Sequence, residues 1–155
     1  MNRETRYSFE KAKQYCFLLL KFRMRSEKEI IERLRLKKFP PAVIAETITF
    51  LRDRRFVDDA EFAKAWVVSR LQKPLGLRRI RAELQIKGIA TDLIENAWHE
   101  AACDYSEDAV VTAIAQRHIK RLKNIDAQTA KRRIFGYLVR RGFSTDTVTQ
   151  AVLKL

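Results

Sequence analysis

The apolar residues of this chain recur at intervals of three, four and seven positions, which is the period of a helix that buries one face. Leu77, Ile80 and Leu84 show this spacing in the central segment, and Gly88 follows where a helix typically ends in a left-handed residue. We find no convincing run of alternating apolar and polar residues of the kind that forms a strand. The pattern therefore predicts an all-α protein.

Polar residues that can accept hydrogen bonds from free backbone N–H groups mark the predicted helix starts. Ser26 and Asp58 are the clearest, because a glutamate three residues later can complete a capping box at each. Pro41 suits the first turn of another helix, since proline has no N–H to satisfy there. The remaining predicted starts are Ser8, Thr91, Ser106, Asp126 and Ser144.

The predicted helices repeat in threes. When Phe39, Ile89 and Phe143 are aligned, the copies are separated by 50 and then 54 residues. Six positions then keep their apolar or basic character in all three copies, which favours a real duplication over the generic rhythm of helical chains. Besides the three reference residues they are Ile30, Ile80 and Ile134; Leu34, Leu84 and Leu138; Lys37, Lys87 and Arg141; Ile44, Ile94 and Val148; Ile48, Trp98 and Val152.

The repeat predicts the fold: three tandem three-helix repeats that form an elongated, curved molecule. We place the repeats at residues 1–56, 57–104 and 105–155. The first copy departs from the others by having Lys38 where they have Gly88 and Gly142. We assign the extra length of the third copy to the polar bridge Lys123–Ala127.

Charge adds a functional expectation to this fold. The 155 residues include 32 lysines and arginines against 19 aspartates and glutamates, a formal net charge of +13. Such an excess self-repels in a small protein, so it indicates an anionic partner, most often nucleic acid or an acidic protein surface. The alternative is a solvated basic surface without a partner.

The cations are densest between Arg117 and Arg141, a segment with nine lysines and arginines and a single acidic residue, Asp126. Phosphates bound there would release counterions, so binding would depend strongly on salt. A weaker patch lies on the helix after Gly76, where Glu83 dilutes it. The candidate partner-binding or nucleic-acid-binding residues are Arg78, Arg79, Arg81, Lys87, Lys120, Arg121, Lys123, Lys131, Arg132, Arg133, Arg140 and Arg141.

Several other side chains have two interpretations. Tyr137 lies among the cations and is able to stack on a base, but Ile134 and Leu138 flank it at helical spacing, which favours packing. Cys16 and Cys103 lie among apolar neighbours and are interpreted as core thiols rather than a disulfide. The acidic cluster at Asp58, Asp59 and Glu61 is explained by helix capping, and Trp66 and Trp98 lie on apolar stripes and are expected in the core.

No catalytic pattern is present in the sequence. His99 and His118 have no spaced partners, and Walker A, nucleophile-elbow and zinc motifs are all missing. We therefore expect a non-enzymatic protein with no cofactor and no metal. The N-terminal residues do not resemble a signal peptide, and the apolar run Tyr15–Phe22 is too short to span a bilayer. These features predict a cytoplasmic protein, which we expect to be a monomer.

The second and third copies contain an ordered series of short motifs. They are Phe56-Val57-Asp58-Asp59, Phe62-Ala63, Arg70, Gly76, Arg79-Ile80, Glu83-Leu84, Lys87-Gly88-Ile89, Leu138 and Arg140-Arg141-Gly142-Phe143-Ser144. Through these motifs the chain, from Ser26 to Leu155, strongly resembles the RecX family of recombination regulators. Val57 stands where the family more often has leucine.

The resemblance implies a fold of tandem three-helix repeats, which agrees with the period found above. It also implies binding to the RecA recombinase, often as a filament on single-stranded DNA, and to single-stranded and double-stranded DNA. Inhibition of ATPase, coprotease and strand-exchange activities would follow. The alternative is a DNA-binding helical repeat protein of the helix-turn-helix or Myb-like kind, acting without a recombinase. The helices after each basic turn, 91–102 and 144–155, are poor in base-reading side chains, which disfavours direct sequence readout.

Overall fold

The computed structural model describes residues 3–122 and 125–155, and every regular element within them is an α-helix. This confirms the prediction of an all-α protein. The elements are α1 (Arg3–Phe22), α2 (Glu27–Leu36), α3 (Pro41–Asp53), α4 (Asp59–Leu71), α5 (Leu77–Ile86), α6 (Thr91–Ala101), α7 (Glu107–Ile119), α8 (Ala127–Arg140) and α9 (Thr145–Leu153).

Most helices begin where the polar residues predicted. Ser26 forms the expected capping box with Glu29, and Pro41 occupies the first turn of α3. The Asp58 carboxylate accepts hydrogen bonds from the amides of residues 60 and 61. The capping box predicted there is wrong, because the Glu61 carboxylate lies 3.6 Å from the Lys64 ammonium group and does not accept from the Asp58 amide. The prediction for Ser8 is wrong, because α1 begins at Arg3 and Ser8 lies within it. The side chains at the remaining starts with a bonded cap are Ser106, Asp126 and Ser144.

Each group of three helices encloses its own core. The first and third helices of a group pack together, as α1 with α3, α4 with α6 and α7 with α9, and the middle helix lies across them. The aligned isoleucines of the middle helices, Ile30, Ile80 and Ile134, are at most 1% exposed, because each turns into the core of its own group. The aligned leucines one turn later are fully buried as well. Three separate apolar clusters result, as the repeat predicted.

Neighbouring repeats meet where the turn after one middle helix covers the N-terminus of the preceding middle helix. Between repeats two and three, the Gly76 amide donates to the Arg141 carbonyl at 3.0 Å, and the Arg78 amide donates to the Gly142 carbonyl at 3.1 Å. These amides belong to the free N-terminal turn of α5, which has no side-chain cap. The turn of the third repeat therefore caps a helix of the second.

The junction between repeats one and two places the aligned residues in the same relation but joins them through side chains. The Ser26 hydroxyl, aligned with Gly76, donates to the Lys87 carbonyl at 2.7 Å. The Lys28 ammonium group donates to the Ile86 carbonyl at 2.9 Å. The two junctions have one design, because their helix starts, Ser26 and Gly76, are 50 residues apart and their turns, Gly88 and Gly142, are 54 residues apart. The repeat therefore extends to how the units stack.

The turn of the first repeat has the same backbone without the glycine. Lys38 has a φ of 59°, while Gly88 and Gly142 have 81° and 87°. All three lie in the left-handed region, so the sequence departure at Lys38 is not a structural one. Its cost is on the order of 1 kcal/mol, the penalty for a side chain in this conformation.

The molecule exposes more surface than a compact protein of its size. Its accessible area is 10201 Å² for a mass of 18.2 kDa, whereas a compact monomer of that mass exposes about 8,100 Å². Three small cores joined by narrow turn-to-helix contacts account for the difference. This supports the elongated shape expected of tandem repeats, while the curvature stays a prediction.

The extra length of the third repeat lies only partly where it was predicted. Helix α8 has 14 residues where α5 has 10, so the four additional residues form a further first turn, 127–130, which shares only Ala127 with the predicted bridge. The prediction for Cys103 is also wrong, because its thiol is exposed in the turn after α6, whereas Cys16 is buried as expected. Burial raises the pKa of the Cys16 thiol to about 11.

The proposed repeat boundaries fall between helices, in the segments that join α3 to α4 and α6 to α7. Lys123, one of the predicted contact residues, lies outside the described part of the chain. Within that part, no helix combines the length and the apolar composition needed to cross a membrane.

A cationic surface across repeats two and three

The third repeat presents a dense group of cations. They lie along the C-terminal end of α7 and on α8, where they project from the apolar stripe toward solvent. None of them forms an ion pair within residues 3–122 and 125–155. The exposed members are Arg117, Lys120, Arg121, Arg132, Arg133 and Arg140, and Lys131 and Arg141 are half-buried.

The second-repeat patch is largely engaged in ion pairs. Arg79 binds Glu83 at 3.2 Å, and Arg81 binds Glu95 at 2.7 Å across α5 and α6. Arg78 is exposed, and no carboxylate of the described residues pairs with it. Of the four cations predicted on this helix and its turn, Arg78 is thus the most available to a partner.

Lys87 does not face outward as the sequence suggested. Its ammonium group lies 2.8 Å from the Glu29 carboxylate of the first repeat and 4.4 Å from the centre of the Trp66 ring. Only 18% of its side chain is exposed. The outward orientation predicted from the helical period is wrong here, because Lys87 ends the helix at a junction and is covered by the preceding repeat.

Glu29 binds cationic side chains from both repeats at this junction. Burial alone would raise the pKa of its carboxyl group, but hydrogen bonds from Arg23 and Lys87 outweigh burial and lower it to about 2. The Arg23 guanidinium binds both carboxylate oxygens, at 2.9 and 3.0 Å. Glu29 is therefore ionised at neutral pH and holds Lys87 in place.

A cavity of about 450 Å³ opens where repeats two and three meet. Its walls come from the end of α4, the segment before α5, α5 itself and the C-terminal half of α8. Five cations and one carboxylate line it, so its electrostatic potential is strongly positive. The lining residues are Arg70, Lys73, Leu75, Arg79, Glu83, Tyr137, Arg140 and Arg141.

The single carboxylate in this cavity, that of Glu83, already accepts three hydrogen bonds. Glu83 accepts hydrogen bonds from Arg70 at 2.6 Å, and from the Trp66 indole at 3.1 Å. Arg79 adds a third at 3.2 Å. Burial would raise the pKa of Glu83, but the hydrogen bonds from Arg70 and Arg79 outweigh it and lower the pKa below its ordinary value. Glu83 consequently fixes Arg70 and Arg79 and has no ion pair with Lys73, Arg140 or Arg141.

A second cavity, of about 420 Å³, lies beside the first along α8. Arg140 lines both cavities, and Arg132 and Arg133 line only the second. Gly136 makes room for Arg140, because a Cβ atom at Gly136 would lie 3.1 Å from the guanidinium nitrogen Nη1. A glycine inside a helix costs about 1 kcal/mol relative to alanine, and here its missing side chain shapes the wall between two cationic cavities.

Tyr137 packs between other side chains. The His118 ring is 4.3 Å away and tilted by 34°, and the Arg141 guanidinium lies 4.9 Å from the tyrosine ring centre. Burial, with repulsion from Arg121, Arg141 and Arg117, lowers the pKa of His118. These contacts support the packing interpretation of Tyr137 over a base-stacking role.

Sequence reasoning missed Lys73 and Arg70 as parts of this surface. Lys73 lies in the segment that joins α4 to α5, which the sequence marks as a turn. Arg70 was noted only as part of the family motif. Both come together with α8 through the junction of two repeats, which no local pattern reports. Gly76 is the residue of the sequence that comes nearest to indicating this contact between repeats. A Cβ atom at Gly76 would lie 2.3 Å from the Gly142 carbonyl oxygen.

The surface offers hydrogen-bond donors that suit an anion. The described residues hold no cluster of three or more histidine, cysteine or acidic side chains able to bind a metal. Guanidinium groups offer paired donors that match phosphate and carboxylate oxygens. The alternative binding mode, base reading by a third helix, finds little support, because α6 carries Asp92, Glu95 and Glu100.

Comparisons with known proteins assign all three repeats. Residues 12–51 match the family model "RecX, first three-helix domain", and residues 58–97 match "RecX, second three-helix domain". Residues 106–152 match "RecX, third three-helix domain". The three matches follow the helix groups of the structure in order.

Curated relatives carry the same family name over most of the chain. A Regulatory protein RecX of Amycolatopsis mediterranei is 38% identical over 138 residues, which cover 87% of this chain and 77% of the relative. One of Bacillus licheniformis is 34% identical over 153 residues, covering 96% of this chain. The chain spans only 55% of the length of that second relative.

Two solved structures share the fold. A crystal structure of regulatory protein RecX superposes with a TM-score of 0.83 at 21% identity and covers 96% of this chain and 73% of that one. RecX from Lactobacillus salivarius superposes with a TM-score of 0.81 at 22% identity and covers 96% of both chains. With the three domain matches and relatives above 30% identity, the chain belongs to the RecX family of regulatory proteins.

Proposed function

We propose that this protein regulates the RecA recombinase by binding it, chiefly as a filament on single-stranded DNA, and inhibits its ATPase, strand-exchange and coprotease activities. The regulation is by binding alone, with no chemistry and no cofactor. Family membership supports the regulatory role, since the relatives are named regulatory proteins. We also propose that the protein acts in the cytoplasm as a monomer.

The observation that carries this proposal is the row of unpaired cations on α8. Arg132, Arg133 and Arg140 are exposed, and no acid within the described part of the chain neutralises them. A filament offers two anionic surfaces to such a row, acidic patches of the recombinase and DNA phosphates. An elongated repeat protein has the shape to follow a filament over several subunits.

A titration of recombinase activity tests the proposal. The single-stranded-DNA-dependent ATPase of preformed RecA filaments from the same organism is measured with this protein at sub-stoichiometric ratios. We expect the rate to fall and the inhibition to persist with excess DNA. No effect, or an effect that added DNA erases, would instead support a plain DNA-binding repeat protein.

The contact surface is tested by charge reversal. Arg132→Glu with Arg133→Glu should remove most of the inhibition while leaving the helical content unchanged, because both side chains are exposed. Arg33→Glu with Lys21→Glu makes the same charge change on the first repeat, where both residues are also exposed. Equal loss of inhibition in both variants would show a dependence on net charge alone and would contradict a contact through the third repeat. Arg141 is kept intact, because it binds the Pro74 carbonyl at the junction.

A further inference from the structure

The cavity between repeats two and three is assembled from both repeats, and this sets it apart from the other cationic surfaces of the molecule. Lys73 and Arg79 come from the second repeat, and Arg140 and Arg141 come from the third. The walls are held in register by backbone hydrogen bonds from Gly76 and Arg78 across the junction. These bonds therefore hold Arg140, on α8, beside the segment between α4 and α5 that carries Lys73.

The cations of this cavity divide into those that build it and those that remain free. Arg70 is fixed by Glu83 at 2.6 Å and lies 4.1 Å from the centre of the Trp66 ring. Arg141 is fixed by the Pro74 carbonyl and the Tyr137 ring. Lys73 and Arg140 are exposed and pair with no acid among the residues described. These two are available to a ligand, one from each repeat.

The arrangement fits phosphate groups spaced along a strand. Arg140 is shared with the neighbouring cavity, which adds Arg132 and Arg133, so the positive lining continues along α8 without an intervening acid. Arg133 and Arg140 are seven residues apart, about 10 Å along a helix axis. A nucleic acid strand carries a charge at every nucleotide and can occupy both cavities at once. An acidic protein surface would have to present carboxylates on protruding side chains at two recessed positions.

We propose that the two adjoining cavities form a binding site for the phosphates of a nucleic acid strand, with Lys73 and Arg140 gripping one phosphate across the junction of repeats two and three. The assignment rests on the proposed function for the choice of nucleic acid as partner, and it adds where the strand lies. A strand held in this way joins repeats two and three from outside. Binding of DNA then strengthens the junction that the Gly142 turn makes from inside.

The experiment measures DNA binding by the full chain with no recombinase present, so its failure is separate from failure of the ATPase test. A fluorescent single-stranded oligonucleotide is titrated by anisotropy at several salt concentrations. The variant Lys73→Gln with Arg140→Gln removes the two free cations. The control, Lys21→Gln with Arg33→Gln, removes one exposed lysine and one exposed arginine from the first repeat.

The expected result is a loss of affinity on the order of tenfold at 0.1 M salt for the Lys73–Arg140 variant, since each lost phosphate contact in single strands lowers the salt slope by about 0.7. The magnitude of the slope of log affinity against log salt should fall by about 0.7 in this variant, because the two cations bind a single phosphate, and change much less in the control. Equal affinities and slopes in the two variants would overturn the proposal, and unchanged helical circular dichroism shows that both are folded.

Two further arms distinguish the source of the anion. Inorganic pyrophosphate is used as a competitor at millimolar concentration, and an acidic peptide of alternating glutamate and glycine is used in the same way. The proposal expects weak competition from both, because neither fills two cavities along a strand. Tight pyrophosphate binding that is lost in the Lys73–Arg140 variant, with oligonucleotide affinity unaffected, would assign the cavity to a small phosphate. Preferential displacement by the peptide would assign it to an acidic protein.

Discussion

The ammonium group of Lys87 and the carboxylate of Glu29 lie 2.8 Å apart and join the second repeat to the first. Both side chains are at least four-fifths shielded from solvent, and the lysine also lies against the Trp66 ring. An ion pair in such a place differs from an exposed one, because removing one partner leaves the other charge poorly solvated. The first junction is thus held by side chains, this ion pair among them, whereas the second is held by backbone hydrogen bonds.

Replacing Lys87 by methionine should destabilise the protein by about 1.5–3 kcal/mol, the contribution of a hydrogen bond to a charged group, because Glu29 loses this bond and keeps those from Arg23. Methionine keeps the apolar stem against Trp66, so the loss reports the charge. Chemical denaturation measures the free energy of unfolding. Lys64→Met removes an exposed lysine that binds Glu100 at 2.8 Å, and we expect a much smaller change there. Equal effects of the two substitutions would contradict a special role for the junction pair.

The free energy of unfolding should fall in acid, and part of this fall should come from protonation of Glu29. Its pKa in the folded protein is about 2, lowered by hydrogen bonds from Arg23 and Lys87 against the opposing effect of burial. In the unfolded chain the pKa of this glutamate has its ordinary value, about 4.3. As the pH falls below that value, the unfolded state therefore takes up the proton before the folded state does. The contribution is complete above about pH 4.3 and is lost as the pH falls toward 2.

The comparison of wild type with Glu29→Gln gives this contribution directly. The difference in unfolding free energy between them should be largest at neutral pH and shrink between about pH 4.3 and 2. Other carboxylates titrate in both proteins and cancel in the difference. A difference that is constant with pH would show that Glu29 is not selectively stabilised in its charged form.

Gly142→Ala should open the second junction. Gly142 has a φ of 87°, and a Cβ atom there would lie 2.3 Å from the Arg79 backbone nitrogen. The left-handed conformation alone costs an alanine about 1–2 kcal/mol, and the clash with backbone adds to it, so we expect a loss of more than about 2 kcal/mol. Limited proteolysis near Gly76 measures the opening of the junction alongside denaturation.

Gly88→Ala is the matched comparison for this prediction. Gly88 has a φ of 81°, but the atoms that a Cβ would meet belong to the Lys28 side chain, at 2.7 Å. The Lys28 Cδ can move aside with the side chain, but the Lys28 Cβ, also at 2.7 Å, is fixed to the helix backbone. The conformational cost is therefore shared by the two variants, and the steric cost is smaller at Gly88 because the contact is 2.7 Å and not 2.3 Å, so Gly88→Ala should be the milder change. A reversed order would mean that the junction adapts to Gly142→Ala by shifting as a unit.

The fold was predictable because the repeat consists of apolar residues at regular spacing. Ile80 and Leu84 and their aligned counterparts turn inward for a local reason, the period of a helix, which a sequence displays fully. Lys38 shows the limit of residue identity, since it takes the left-handed conformation that glycine takes in the other copies. The pattern of the chain determined the backbone there despite the difference.

The candidate surface was predictable only in its charge. The basic excess of α8 is visible in the sequence, but whether a cation is free or paired depends on which repeat lies across from it. Lys87 was expected outside and is covered by Glu29, while Lys73 was not expected to contribute and lines the cavity with Arg140. Contacts between residues about 60 positions apart decide both cases, and periodicity carries no information about them.

Gly136→Ala should raise stability and lower DNA affinity, two effects of opposite sign from one methyl group. Alanine favours the interior of a helix over glycine by about 1 kcal/mol, and the atom it would approach, at 3.1 Å, is the far end of the flexible Arg140 side chain. The helix therefore gains stability, and the guanidinium moves. If Arg140 grips a phosphate from its present position, the affinity for a single-stranded oligonucleotide falls, by a smaller factor than in Arg140→Gln.

A double-mutant cycle separates the two effects, because it compares Gly136→Ala in the wild-type and Arg140→Gln backgrounds. The gain of about 0.5–1 kcal/mol in unfolding free energy should appear in both, since it arises from the helix backbone. The loss of oligonucleotide affinity should appear only where Arg140 is present. An equal loss in both backgrounds would mean that the methyl group blocks the strand directly, and no loss in either would mean that Arg140 binds phosphate from another rotamer.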